Sequence, residues 1–146
     1  MEGNLWNALH CTATLTEFAV LALYGQAVSH PYMCEICSAS EKKINMLDLG
    51  PLHNKVYFHI QCIIGDSTFL VGPNASYHTG AMDGQEWQSP DTFTAIQKLA
   101  PSLPHLKTLL VAFFKGAACY VLFHSSDSDF FPKSKFRFSS SLLLSH

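Results

Sequence analysis

Residues 106–123 read LKTLLVAFFKGAACYVLF, the stretch on which the fold turns. Leu106, Leu109, Leu110, Phe113 and Phe114 recur at spacings of three and four, the period of one helical face. That stripe is the expected centre of a hydrophobic core. From Val111 to Val121 the run is apolar nearly all round, which predicts burial on several sides. Ser102-Leu103-Pro104 supplies a helix start, with a capping hydroxyl and an early proline. A membrane-spanning helix is the competing reading, and it needs about 20 predominantly apolar residues. Lys107 and Lys115 both lie inside the run, and a lysine at mid-span costs roughly 2.5–3.5 kcal/mol. A buried core helix is therefore the expected reading, with membrane association of this run as the alternative.

The segments upstream supply helices to pack against this stripe. Ser89-Pro90-Asp91 is a second clean start, and Phe93, Ile96 and Leu99 follow on one face before Pro101. Leu52, Val56, Ile60 and Ile63 form another face after Pro51, ending at Gly65-Asp66. Near the N-terminus, Asn4 caps a turn carrying Leu5, Trp6 and Leu9. Thr14-Leu15-Thr16-Glu17 then has the form of a capping box. The helix it opens is expected to run through Phe18, Leu21 and Ala22 to about Val28, where Pro31 stops it. Residues 30–50 read as loop, and 65–88 as a long irregular loop. Gly72-Pro73, Thr79-Gly80 and Asp83-Gly84 punctuate the second of these, which is expected to be loose or disordered. From Ser125 the composition turns to serine and phenylalanine, and a disordered tail over 125–146 is expected.

The reading is thus a mostly α protein: a small irregular helical bundle over residues 1–124 with a long loop and a disordered C-terminal tail. The buried set expected is Phe18, Leu21, Leu52, Val56, Ile60, Phe93, Ile96, Leu109, Phe113 and Phe114. At 146 residues the chain is long enough for one real core.

Composition bears on function mainly by exclusion. Charged residues are 14% of the chain, against a typical share of roughly 25%, while apolar residues are 48%. A chain so poor in charge implies limited solubility, a large buried interface, or a sequence that is not a well-selected globular protein. The net charge of −2 is too small to steer a charged partner. Arg137 is the only arginine, so the usual reader of phosphates and guanine edges is nearly missing and nucleic-acid binding is not expected. Met1-Glu2-Gly3-Asn4 lacks the basic start of a secretory signal. An intracellular chain with reduced thiols is expected, without a disulfide framework for its five cysteines.

Two constellations carry chemistry. Cys34-Glu35-Ile36-Cys37 and Phe58-His59-Ile60-Gln61-Cys62-Ile63 place thiolates and an imidazole at metal-ligand spacings. Cys34, Cys37, His59 and Cys62 could form one Cys3His zinc site, a loop CxxC facing one stripe of the Leu52–Ile64 helix. The bland alternative leaves Cys34 and Cys37 in a loop by chance and packs Cys62 as a small hydrophobe. A thioredoxin-like role lacks the strand that should precede its CxxC. The second constellation is His78, Asp83, Glu86 and Trp87 in the long loop, where an enzyme of unknown class would place its groups. Solvated acids in a turn beside a partly buried Trp87 are the simpler reading. No GxSxG, HExxH or glycine-rich phosphate loop occurs.

The CxIC and FHxxCI segments resemble the first part of the RING-H2 family of zinc domains. The resemblance implies Cys34 and Cys37 as a first ligand pair and His59 and Cys62 as middle ligands. Tyr57 stands where that family has a cysteine, and the closing CPxC pair is missing, so ubiquitin-ligase activity is not implied. Separately, NLWNALH, YGQAVSHPYM, NMLDLGPLH and LPHLKTLLVAFFKGA look like segments of uncharacterised proteins from mushroom-forming fungi. That resemblance covers the helical segments, omits the CEIC region and the tail, and implies that those two stretches are insertions or misread exons.

Taken together, the residues favour a non-catalytic helical domain, not an enzyme and without a cofactor, that binds another protein through apolar helix surface. A small zinc-stabilised adaptor using Cys34, Cys37, His59 and Cys62 is the alternative, and an enzyme of unknown class the third.

Overall fold

The computed structural model describes residues 2–39 and 49–125. These residues form a bundle of α1 (Glu2–His10), α2 (Thr12–Tyr24), α3 (His30–Ala39), α4 (Leu49–Gly65), α5 (Thr68–Val71), α6 (Tyr77–Gly80), α7 (Pro90–Leu99) and α8 (Leu106–Ser125). A π-helical turn at Gly25–Ser29 joins α2 to α3, and a 3-10 turn at Ala100–Ser102 follows α7. The mostly α architecture read from the sequence is the one observed. Beyond Ser125, the expected disordered tail lies outside the described residues, as do residues 40–48 of the expected loop.

The contact of α4 with α8 is the most extensive, followed by that of α2 with α8. Asp66 at the end of α4 lies near Lys107, while His53 and Val56 share a cavity with Tyr120 and Val121. Those neighbours make α4 antiparallel to α8. Tyr24 meets Phe113 and Phe114, and Val28 shares that same cavity with Tyr120 and Val121, so α2 runs parallel to α8.

Leu106, Leu110, Phe114 and Ala118 are the buried residues of α8, each four positions after the last. Leu52, Val56, Ile60 and Ile63 face them from α4. Rows spaced four apart form the ridges that interlock when helices pack. Leu109 and Phe113 are only partly buried at the edge of this seam. Burial of α8 on several sides, expected from its composition, does not occur. Within Leu106–Phe123 only 22% is buried, and by length and composition this is a helix able to cross a membrane.

The face chosen by α2 also differs from the expected one. Phe18 and Leu21 are 55% and 52% exposed, while Thr16, Ala19, Val20 and Leu23 are buried. A helix apolar on nearly every side has no single face that periodicity can select. Packing selects the side that carries Val20 and Leu23, with Thr16 and Ala19 beside them. The Thr16 hydroxyl donates to the Thr12 carbonyl at 2.6 Å, which satisfies it inside the core. Thr14 therefore lies within the helix, Cys11 takes the N-cap position, and the expected capping box is not used.

Pro31 does not end the helix; it widens it. Without an N–H, Pro31 cannot bond the Ala27 carbonyl, and its ring would clash with that oxygen in an α-helix. The chain answers with a π turn, in which the His30 N–H donates to the Gly25 carbonyl five residues back. Pro31 is fully buried, and the released Ala27 carbonyl accepts the Met82 N–H at 2.9 Å. The CEIC segment, expected in a loop, consequently continues the same helix as part of α3.

That bond is one of several that tie down residues 65–88, expected to be loose. The Ser89 N–H donates to Gln26 Oε1 at 3.0 Å, one residue before Ala27. The Gln97 side chain donates to the Leu70 carbonyl. Ala81, Met82 and Trp87 are buried, and Trp87 stacks on Phe93 with centroids 4.4 Å apart. Thr68–Val71 is a helical turn, begun by Asp66 accepting the Thr68 N–H at 3.1 Å. At the start of α7, the Ser89 hydroxyl bonds Thr92 Oγ1 at 2.7 Å instead of capping the backbone.

Three substitutions test this packing. Phe114→Ala should lower stability by roughly 3–5 kcal/mol, the usual cost of emptying a core aromatic site, whereas Phe18→Ala should change it by about 0.5 kcal/mol or less. Gly80→Ala should cost roughly 1–3 kcal/mol, because its Cβ would lie 2.9 Å from both the Phe69 carbonyl oxygen and the Trp87 ring. Urea denaturation followed by circular dichroism reads all three, and equal losses for Phe114→Ala and Phe18→Ala would refute the packing.

Candidate functional site

The π turn that Pro31 imposes leaves a groove beside it. Tyr24, Val28 and Ser29 form one wall, Tyr32 and Met33 of α3 a second, His53 and Val56 of α4 a third, and Tyr120 and Val121 of α8 the last. Its volume is about 300 Å³, and its lining is overwhelmingly apolar. Such turns recur at functional sites because the extra residue re-aims the side chains around it.

Aromatic rings pack behind Tyr24. Tyr24 meets Phe113 and Phe114 edge-on, at 5.2 and 5.4 Å between centroids and interplanar angles of 72° and 76°. These are the offsets that ring quadrupoles favour. Burial pushes the Tyr24 phenol above its ordinary pKa, and no described residue hydrogen-bonds its hydroxyl. The Tyr32 hydroxyl and His53 Nε2 bond each other at 3.2 Å across the α3–α4 wall, with their rings stacked. Lys55 and Glu35 form an ion pair between the same two helices. None of the described lining residues is a carboxylate, a thiol or an amine, so the groove's own chemistry is apolar contact with a few hydroxyl and imidazole bonds.

The four residues read as zinc ligands are spread over two helices. Cys34 and Cys37 are exposed on α3, and the Cys34 thiol is 3.5 Å from His30 Nε2, one turn before it. Cys62 is exposed on α4. His59 turns away toward α6, where its Nε2 donates to the Gly80 carbonyl at 2.9 Å. Among the described residues no three of His, Cys, Asp and Glu gather around a point where a metal ion could sit.

The loop constellation is likewise separated. The His78 ring lies tilted against Tyr77, the Asp83 carboxylate accepts the Gln85 N–H at 3.0 Å, and Glu86 is exposed. Trp87 lies in the core against Phe93. The groove residues went unselected in the sequence because they come from four segments; the only local signal was Pro31 in a helical pattern.

No protein-family model matches the chain, and neither a curated protein nor a solved structure matches it.

His59 gives the fold a pH dependence. Burial, the largest influence, lowers its pKa below the ordinary 6.5; the Gly80 carbonyl and Asp83 oppose this, and Lys55 adds to it. The unfolded chain therefore takes up a proton at higher pH than the folded one. The contribution of neutral His59 is full above about pH 6.5 and is lost as pH falls through the folded value. His59→Gln keeps a donor for Gly80 but cannot titrate. Thermal unfolding at pH 5 and pH 7.5 should show a smaller drop for the variant than for the parent; identical drops would exclude His59 as a source.

Proposed function

We propose that this protein is a non-catalytic binding domain that takes the apolar anchor side chain of a partner protein into the groove at the π turn. The observation that carries this reading is the groove itself. It is concave, lined by apolar and aromatic groups from four segments, and fitted with only a few polar atoms. That is the ordinary make-up of a binding site. Its size is at the lower end for ligand pockets, which suits one inserted side chain better than an extended cofactor. Met33, half-exposed at the rim, offers the flexible apolar surface that binding sites use to adapt to a partner. The low share of charged residues supports the same reading, because charged groups are depleted in the centres of protein interfaces.

Selection of displayed random peptides against the whole protein tests this directly. Enriched peptides should carry aromatic or large aliphatic anchors. Ser29→Trp, which places an indole in the groove, should weaken their binding by at least about tenfold, the effect expected when a central anchor is blocked. Peptides that bind the parent and Ser29→Trp equally would place recognition elsewhere and overturn the proposal. So would a selection that enriches no binder.

A further inference from the structure

The groove lies toward the C-terminal end of α8. Tyr120 and Val121 form one of its walls, and the helix ends shortly after them at Ser125. At 1.5 Å per residue, Ser125 stands only about 6 Å beyond Val121 along the axis. Tyr120, Val121 and Phe123 already have interactions of their own, so this wall is not a bare surface. The sequence that follows reads Ser126-Asp127-Ser128-Asp129-Phe130-Phe131-Pro132. Serines and aspartates, residues that favour a reversal of the chain, thus precede two adjacent phenylalanines. Extended, the stretch from Ser125 to Phe130 spans up to roughly 17 Å, well over the length of helix it must retrace to reach the groove.

We infer that the Phe130–Phe131 pair folds back in cis and seats an aromatic ring in the groove, so that a partner must displace the protein's own tail to bind. This rests on the reading of the groove as a receptor for an apolar anchor side chain, and adds its regulation. The walls offered by Val28, Val56 and Tyr24 suit an aromatic ring, whose burial there removes apolar area from water. The nearest phenylalanines are favoured over the later apolar residues, because closing a loop costs more entropy as the loop lengthens. Phe130-Phe131-Pro132 is also an unbroken apolar run, whereas Phe136 and Phe138 alternate with Lys135 and Arg137. Those charges would lose hydration at an apolar site. Leu142-Leu143-Leu144 requires a far longer loop. A short tether holds the pair at an effective concentration in the millimolar range, against which any partner competes.

Nuclear magnetic resonance of the whole protein tests this. Ring protons of Phe130 or Phe131 should show Overhauser contacts to the methyl groups of Val28 and Val56, unchanged on dilution. Phe130→Ser combined with Phe131→Ser should remove them and shift the amides of Val28, Tyr32 and Val56, whereas Phe136→Ser should leave those amides in place. A synthetic peptide of residues 125–135 should bind the doubly substituted protein roughly tenfold more tightly than the parent, whose groove the tethered pair already holds. Should the substituted protein fail to fold, the parent spectra decide alone. Contacts that fade on dilution would assign the ring to a second copy and overturn the inference. Their absence would overturn it too, as would equal peptide binding by both proteins. In each of these cases the anchor-binding groove stands if displayed peptides bind the parent and lose binding in Ser29→Trp. Overhauser contacts without any displayed peptide that binds at the groove would make the tail its permanent occupant, and would strike the partner reading and the displacement with it.

Discussion

The loss of one backbone N–H, at Pro31, organises much of this molecule. A proline in a helix orphans the carbonyl four residues before it and pushes against that oxygen. Here the helix widens for one turn over Gly25–Ser29, which clears the ring, and the orphaned Ala27 carbonyl accepts the Met82 N–H. Two features follow from that local conflict. The widened turn aims Val28 and Ser29 at the groove, and the freed acceptor gives residues 82–89 a place to dock, with Gln26 taking Ser89 beside it.

The helical core is assembled by a different rule. Residues at every fourth position of α8 interlock with those of α4, and α2 adds Ala19, Val20 and Leu23 to the core. The larger apolar side chains of α2, Phe18 and Leu21, are left outside. Most of α8 is also outside the core although it is apolar nearly throughout. Large apolar side chains such as Phe18, Leu21, Tyr120 and Phe123 are therefore exposed.

The groove combines concavity with a few polar atoms. Flat apolar area gives adhesion with little selectivity; a walled site with hydroxyl groups at fixed positions distinguishes occupants by their hydrogen bonds. The Lys55–Glu35 pair and the Tyr32–His53 bond both tie α3 to α4, so two walls of the groove are held by contacts that do not depend on an occupant. Such preorganisation reduces the ordering cost of binding.

Helix content, the seam of Leu52, Val56, Ile60 and Phe114, and the Pro90 start of α7 were legible in the sequence, because each rests on local periodicity or local end chemistry. The buried face of α2 was not, since Phe18 and Ala19 are equally apolar by pattern and only the approach of α8 decides between them. Nor was the continuation through Pro31, whose penalty looked final until Met82, far along the chain, supplied the missing donor. The glycines and turns of 65–88 read as looseness, yet Gly80 is there so that the Trp87 ring and the Phe69 carbonyl can approach it closely. The spacing of Cys34, Cys37, His59 and Cys62 likewise carried no information on where their helices would point them. Local signals determine which segments are helical; the partners of orphaned backbone groups, the faces that pack and the groove between them are properties of the assembled fold.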